Sequence, residues 1–280
     1  MNEMTQPRML LGRNVVERAS AMALDYYSAA RLAVEDKGPG DVVTEADFAI
    51  ERAAREAVVT AFPEDRFVGE EFGGDATDEG FSWLIDPIDG TVNFARRIGY
   101  FCVSLALLQD GRPIAAWIYD PASKELFWAG PDGCALLGEE PLRCATEANF
   151  ASTIIGLGFS TRHDKALHAT VTANIIAAGA DYRRLGAGAL CLAHVAAGRL
   201  DAYVEPHMNP WDAVGGLYIA ACAGAVTLDY LAAGGLRNGA PVFAASPSIA
   251  TQLLGLLPEP FSGTPLHREN DLRSAGEAAT

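Results

Sequence analysis

Cysteine is scarce in this sequence, with five residues among 280. The cysteines form no Cys-x-x-Cys pair. This usage argues against a disulfide framework or a zinc site and is typical of small core residues in a reducing compartment. We therefore expect free thiols and a cytoplasmic protein.

Membrane-spanning segments and excess positive charge are also missing. The apolar stretch 213–228 is shorter than the ~20 residues that a membrane span needs, and residues 1–13 contain no signal-peptide core. Acidic residues outnumber lysine and arginine by 36 to 21, which gives a net charge of -15. Because such a surface repels nucleic acid and anionic lipid, we expect neither as a partner.

The most informative segment is 83–94, which reads Trp-Leu-Ile-Asp-Pro-Ile-Asp-Gly-Thr-Val-Asn-Phe. The apolar run 81–85 predicts a short buried strand. Pro87 is expected to end this strand, because proline lacks the N–H that a strand ladder requires. The strand therefore delivers the carboxylates of Asp86 and Asp89 to the edge of a sheet.

Two small residues follow these aspartates. Gly90 lets the backbone approach a ligand closely, and Thr91 is the predicted start of a helix. A strand, an acidic turn and a helix N-terminus in this order indicate a metal and phosphate site.

The same segment allows other interpretations. Asp86 and Asp89 could simply cap the following helix. The haloacid-dehalogenase loop also follows an apolar strand, but one residue separates its two aspartates, whereas two residues separate them here. An EF-hand loop needs oxygen ligands at alternate positions and a glutamate at the twelfth, and this segment has neither.

Other junctions between predicted elements also carry acidic residues. Glu70 follows a short strand at 67–68, Glu205 ends a strand, and Asp212 opens an apolar helix at 211–223. Capping by itself also explains Asp212. If these carboxylates converge with Asp86, a pair about 4 Å apart repels by roughly 4 kcal/mol, so that some must protonate or divalent cations must bind. Oxygen ligands without histidine or cysteine suit Mg²⁺ or Mn²⁺ better than zinc.

Asp47 has a local interpretation that we favour over a metal role. It stands three residues after Thr44, the predicted N-cap of the second helix, and this spacing predicts a capping box. His207 and Asn209 are likewise interpreted first as polar groups of a loop.

The pattern of elements predicts an α+β or mixed α/β fold. The first half opens with two helices, the first at 15–34, and continues as an antiparallel meander whose strands lie at 102–108, 114–119, 126–129 and 134–137. The second half alternates strands and helices, which predicts a mostly parallel sheet. We divide the chain into an N-terminal half, a C-terminal half and a loose tail, at 1–145, 146–257 and 258–280.

In order and spacing, the segments 69–71, 83–94 and 210–216 resemble the motifs of the inositol monophosphatase family of Mg²⁺-dependent, lithium-sensitive phosphatases. A weaker match runs from 41 to 244. The resemblance implies a layered αβαβα fold of the type shared with fructose-1,6-bisphosphatase, and a homodimer.

The resemblance also implies the metal ligands. One Mg²⁺ ion would be held by Glu70, Asp86 and the backbone carbonyl of Ile88. A second would be held by Asp86, Asp89 and Asp212. A third, weaker ion would rest on Glu70, and Mn²⁺ is a possible substitute.

Further roles follow from the same resemblance. The phosphate would rest on the backbone N–H groups of Gly90 and Thr91. Glu70 and Thr91 would orient the water that attacks phosphorus, and Asp47 joins them as a candidate catalytic residue. Glu205 matches the position at which the family holds a substrate hydroxyl.

The other candidate substrate-binding residues are Asp89, Ala187, Gly188 and His207. The segment 186–189 reads Gly-Ala-Gly-Ala where the family has Gly-Ser/Thr-Ala-Ala, so one hydroxyl contact is missing. This departure concerns the substrate and leaves the metal ligands unchanged.

These observations predict a Mg²⁺-dependent phosphomonoesterase for a small polyol or sugar phosphate, with inositol monophosphate as the leading substrate. The alternatives in the same superfamily are phosphatases for histidinol phosphate, fructose 1,6-bisphosphate or a 3',5'-nucleotide bisphosphate. An alternative of another class is a metal-responsive regulatory module without turnover, against which the complete set of ligands argues.

Overall fold

A computed structural model describes residues 4–38, 41–76, 78–147, 149–262 and 266–267. The first half contains, in chain order, α1 (Thr5–Ser28), β1 (Val34–Gly38), β2 (Asp41–Thr44), α2 (Glu45–Ala61), β3 (Arg66–Gly69), β4 (Phe81–Asp89), α3 (Thr91–Ala95), β5 (Cys102–Gln109), β6 (Arg112–Asp120), β7 (Glu125–Ala129), β8 (Ala135–Leu137) and β9 (Glu140–Pro141). The second half contains β10 (Ile154–Leu157), α4 (Lys165–Ala177), β11 (Asp181–Arg183), α5 (Gly188–Ala196), β12 (Ala202–Met208), α6 (Pro210–Cys222), β13 (Val226–Leu228), α7 (Gly235–Asn238), β14 (Ala240–Ala245), α8 (Pro247–Leu254) and β15 (Leu266–His267).

The first large sheet has seven strands in the order β3-β4-β5-β6-β7-β8-β9. Strands β3 and β4 are parallel, and the remaining pairs are antiparallel. The predicted meander is therefore confirmed, because turns at Asp110-Gly111 and after Asp120 return each strand beside the previous one.

The second sheet has six strands in the order β11-β10-β12-β14-β13-β15. Strand β10 is parallel to both β11 and β12, whereas the other three pairs are antiparallel. The prediction of a mostly parallel sheet is therefore wrong. A helix between two consecutive strands does not by itself make them parallel. Strand β14 follows β13 across α7, pairs with it in the antiparallel direction and separates it from β12.

The helices form three layers around these sheets. Helices α1 and α2 pack on the outer face of the seven-stranded sheet, α5 and α6 lie between the sheets, and α4 and α8 cover the outer face of the six-stranded sheet. This is the expected αβαβα arrangement. The core between the sheets contains residues from both halves, including Ala106 of β5 and Ile219 of α6. The division at residue 145 stays a prediction.

Two predicted boundaries differ from the structure. Helix α1 begins at Thr5 and ends at Ser28, whereas Val34 belongs to β1, where it pairs with Thr44 of β2. Strand β4 does not end before Pro87 but continues to Asp89 across a register shift against β5. Proline is tolerated there because the bulge needs no ladder hydrogen bond from it.

The expectations from composition can be compared with the described residues. All five thiols are free, and those of Cys102, Cys144 and Cys191 are buried, whereas Cys134 is exposed. In the part of the chain that the structure describes, no helix is both long and apolar enough to cross a bilayer. Of the predicted tail, residues 263–265 and 268–280 lie outside the described residues, and β15 pairs with β13.

Candidate metal centre

Asp86 belongs to β4, the second strand of the seven-stranded sheet, which lies between the edge strand β3 and β5. The side chain is 2% exposed, and its Oδ1 accepts a hydrogen bond from the N–H of Ile88 at 2.9 Å. This short-range contact forms across the bulge that surrounds Pro87, so the same irregularity that lengthens the strand also orients the carboxylate.

Glu70 follows β3 in a loop that helix α2 anchors. The fully buried carboxylate of Glu51 accepts the N–H groups of Glu71 and Phe72 at 2.8 and 3.1 Å. From the next turn of the helix, Arg55 Nη2 donates to the carbonyl of Gly73 at 2.9 Å. Sequence reasoning missed Glu51, although its position four residues after Asp47 places both carboxylates on one face of α2.

Asp212 reaches the site from the first turn of α6, which begins at Pro210. Its Oδ2 accepts the backbone N–H of Asn209, the N-cap residue, at 3.3 Å. The capping role that the sequence left open is therefore present, and it fixes the direction of the carboxylate toward β4.

The structure brings Glu70, Asp86 and Asp212 together, with one carboxylate oxygen of each within 4.8 Å of the others. Burial, and then the charges of Glu70 and Asp212, raises the pKa of Asp86 well above its usual range. Burial, and then the charge of Asp89, raises the pKa of Asp212 to about 8. Because the three carboxylates lie so close together, a proton or a cation must offset their mutual repulsion.

These oxygen donors fit a hard divalent cation. The carboxylate oxygens come from three separate elements, and no histidine or cysteine belongs to this group. A second group, formed by Asp120, Glu125 and His194, does not fit as well. Asp120 already accepts two backbone N–H groups, and Glu125 forms an ion pair with Arg199.

Asp89 lies beside this group but is turned toward another partner. Its Oδ1 accepts the N–H of Gly188 at 3.1 Å, and its Oδ2 accepts those of Ala189 and Leu190 at 2.8 and 3.3 Å. These are the first N–H groups of α5, whose N-cap residue Ala187 provides no side-chain oxygen. Asp89 thus replaces the missing N-cap hydroxyl.

Asp47 occupies the capping position that its spacing predicts. Its Oδ2 accepts both the backbone N–H and the hydroxyl of Thr44, at 2.8 and 2.6 Å. Its Oδ1 is buried and has no hydrogen-bond partner among the described residues. Burial raises the pKa of Asp47 to about 6, and its charge acts on Asp86. Asp47 therefore caps α2 and also faces the acidic group.

The turn after β4 depends on Gly90. Its φ is 93°, and a Cβ atom there would lie 3.1 Å from both the carbonyl oxygen of Tyr100 and the Cβ atom of Ala187. The hydroxyl of Thr91 donates to the carbonyl oxygen of Ile88 at 2.9 Å. Gly90 thus combines a left-handed backbone with a close approach that a larger residue could not make.

Asn93 links this turn to the segment before α5. Its Nδ2 donates to the carbonyl oxygens of Tyr100 and Leu185, both at 2.8 Å. Sequence reasoning included Asn93 in the motif without assigning it a task. Its amide holds Ala187 and Gly188 beside Gly90, because Leu185 lies only two residues before Ala187.

The predicted substrate residue Glu205 is in β12. The phenol of Tyr203 donates to its Oε2 at 2.5 Å, and a Cβ atom on Gly158 would overlap the carboxylate. Burial raises the pKa of Glu205 to about 7, partly offset by the Tyr203 hydrogen bond. The ring of His207 points to the C-terminus of α7, where its Nε2 is 2.9 Å from the carbonyl oxygen of Asn238.

A layered αβαβα chain with converging carboxylates is typical of metal-dependent phosphatases. The family model of the inositol monophosphatases matches residues 7–259. The chain therefore belongs to the inositol monophosphatase family.

Individual relatives carry different names. The inositol-1-monophosphatase of Mesorhizobium japonicum is 33% identical over 265 residues, covering 94% of this chain and 97% of the relative. The Nus factor SuhB of Escherichia coli K12 is 32% identical over 246 residues, covering 86% and 91%. The crystal structure of the extragenic suppressor protein SuhB from Bartonella henselae superposes with a TM-score of 0.81 at 29% identity, covering 90% and 98%.

Proposed function

We propose that the protein is a Mg²⁺-dependent phosphomonoesterase that hydrolyses a small polyol or sugar phosphate, with inositol monophosphate as the leading substrate. The convergence of Glu70, Asp86 and Asp212 within 4.8 Å carries this proposal. Membership of the inositol monophosphatase family supports it.

The three converging carboxylates would hold a divalent cation. As the family resemblance implies, the carbonyl of Ile88 would complete a first position with Glu70 and Asp86, and the carboxylate of Asp89 would complete a second with Asp86 and Asp212. Mn²⁺ is a possible substitute for Mg²⁺. When bound, the cations would lower the pKa of a water and offset the charge of the leaving oxygen.

The chain itself would bind and orient the substrate. The backbone N–H groups of Gly90 and Thr91 would donate hydrogen bonds to the phosphate. Because the Thr91 hydroxyl donates its proton to the Ile88 carbonyl, its lone pairs are available to accept a hydrogen bond from a water. Glu205, which Tyr203 holds in place, would bind a substrate hydroxyl.

Phosphate release from a panel of esters tests this proposal. The panel contains inositol monophosphate, histidinol phosphate, fructose 1,6-bisphosphate and a 3',5'-nucleotide bisphosphate, each measured with Mg²⁺ and with chelator. Chelator-sensitive release that is fastest from inositol monophosphate supports the proposal. Faster release from another ester keeps the reaction and changes the substrate, and the residues to exchange first are then Ala187 and His207.

A regulatory role is the second candidate, because a relative with 32% identity is named a Nus factor. Under this alternative, Mg²⁺ would raise the melting temperature while no ester of the panel is hydrolysed. We also propose a cytoplasmic homodimer, as the resemblance implies. Sedimentation at several concentrations tests the oligomeric state.

A further inference from the structure

An arginine outside the acidic group lies close to it. Arg162 is in the loop between β10 and α4, where its Nη1 is 3.0 Å from His207 Nε2 and its Nη2 donates to Asn209 Oδ1 at 3.1 Å. Burial lowers the pKa of His207, which favours the neutral ring. Among the described residues, no carboxylate forms an ion pair with Arg162, so neutral groups hold the guanidinium and leave its charge uncompensated.

Asn209 connects this arginine to the candidate metal centre. While its Oδ1 accepts from Arg162, its backbone N–H and Nδ2 donate to Asp212 Oδ2 at 3.3 and 3.4 Å. One side chain therefore separates the guanidinium from a carboxylate of the acidic group. Since Arg162 is exposed, it remains accessible to a solute that approaches that group.

A second arginine, Arg184, lies near Glu205. The guanidinium of Arg184 lies 5.4 Å from the ring centre of Phe159, whose backbone N–H is a hydrogen-bond donor to Glu205. The charge of Arg184 acts on that carboxylate. Two exposed arginines thus flank the candidate substrate region of a chain whose net charge is -15.

We propose that Arg162 binds a second anionic group on the substrate, so that the site favours a bisphosphorylated polyol or sugar over the corresponding monophosphate. This inference rests on the proposed phosphatase function and refines its substrate, because an inositol bisphosphate should then bind more tightly than inositol monophosphate. A guanidinium has five N–H donors. Asn209 accepts one of them, and His207 Nε2 accepts a second only when it does not donate to the carbonyl oxygen of Asn238. The remaining donors form the planar fork that matches a phosphate group, and this fork is already oriented by its two neighbours.

Kinetics with a matched pair of esters test the proposal. The probes are myo-inositol 1-phosphate and myo-inositol 1,4-bisphosphate, with Mg²⁺ at low ionic strength. We expect the KM for the bisphosphate to be about tenfold lower than the KM for the monophosphate, because one additional charge-assisted contact supplies a difference of this size. Arg162→Gln should raise this KM by about tenfold and the monophosphate KM by less than about twofold, with kcat unchanged. Arg162→Lys should restore part of the difference, because it keeps the charge but loses the fork.

Arg112→Gln is the matched control for loss of one positive charge. Arg112 is exposed at the start of β6, where it pairs with Gln109, the last residue of β5. Asp89 pairs with Cys102, the first residue of β5, so Arg112 lies at the other end of that strand. This variant should leave both KM values unchanged. Added salt should weaken the preference of the native protein for the bisphosphate, since charge-based attraction is screened.

Two results would overturn the assignment. Equal KM values for the two esters in the native protein would show that no second anionic group is bound. Equal changes for both esters in Arg162→Gln, together with a higher Mg²⁺ requirement, would show that Arg162 only ties its loop to Asn209. If neither ester is hydrolysed, the proposed function fails, and the binding of the same two esters is then measured by calorimetry with the native protein and Arg162→Gln. A preference of the native protein for the bisphosphate that Arg162→Gln loses supports the role of Arg162, and equal binding of both esters to the native protein overturns it.

Discussion

Asp89 and Ala189 are joined by a hydrogen bond across 100 residues of sequence, with 2.8 Å between Asp89 Oδ2 and the Ala189 nitrogen. This contact connects the end of β4 to the N-terminus of α5, in the helix layer between the two sheets. It also explains how α5 begins at Gly188 without a capping side chain from Ala187.

Asp89→Asn should destabilise the protein even without metal. An amide has one acceptor oxygen, so its NH₂ group would face either the N–H of Gly188 or those of Ala189 and Leu190. We expect a loss of about 1–3 kcal/mol of unfolding free energy, as is typical for buried groups left unsatisfied. Chemical denaturation in chelator measures it, with the exposed Asp25→Asn as the control. An unchanged stability would mean that Asp89 does not cap α5.

Glu51→Gln should weaken metal binding without touching a proposed ligand. The carboxylate of Glu51 accepts two N–H groups of the loop that carries Glu70, and an amide can accept only with its one oxygen. We expect the half-saturating Mg²⁺ concentration to rise by about tenfold, within the range for residues that support ligands. Glu56→Gln, on the exposed face of the same helix, is the control. Equal Mg²⁺ titrations for both variants would refute this role.

Gly90→Ala should cost both stability and activity. The substitution combines a φ of 93° with contacts of 3.1 Å to backbone and side-chain atoms. Backbone strain of this kind costs about 1–3 kcal/mol. Gly133→Ala separates the two causes, because Gly133 also has a positive φ of 71° but no atom within 4 Å of the position that a Cβ would take. If both variants melt at the same temperature, close packing at Gly90 contributes nothing.

The metal-free protein should lose stability as the pH rises. In the folded state the pKa is about 6 for Asp47, about 7 for Glu205 and about 8 for Asp212, against about 4 for unfolded carboxyls. Between about pH 4 and about pH 8, the folded protein therefore binds more protons than the unfolded protein does. The free energy of unfolding consequently decreases as the pH rises through this range.

Melting temperatures in chelator measure this dependence. Mg²⁺ should raise the melting temperature more at pH 8 than at pH 5, because cations bind ionised carboxylates. Asp212→Asn should flatten the metal-free profile. A melting temperature that increases with pH across this range would contradict the raised pKa values of these carboxyls.

Local patterns were sufficient to predict several features of the site. The spacing of Thr44 and Asp47 predicts the capping box, and the motif at 83–94 predicts that β4 delivers Asp86 to the acidic group. These features depend on short-range geometry. The layered fold was implied by the family resemblance. It depends on packing between segments that are distant in the sequence, and the periodicity of a single segment does not predict such packing.

Features that depend on distant segments could not be predicted. Asp89 accepts the first N–H groups of α5, whose N-cap residue Ala187 has no hydroxyl, and these positions meet only in the folded chain. The mixed second sheet depends on the insertion of β14 beside β12, which alternation of elements does not reveal. Pro87 within β4 reflects a bulge whose partner is β5.

Phosphate release under removal and return of Mg²⁺ tests the metal centre most directly. The native protein and Asp212→Asn are assayed with inositol monophosphate in Mg²⁺, in chelator, and after Mg²⁺ is restored. We predict release by the native protein that stops in chelator and returns with Mg²⁺, and little release by Asp212→Asn. Release that continues in chelator, or full activity of Asp212→Asn, would contradict a metal centre at Glu70, Asp86 and Asp212.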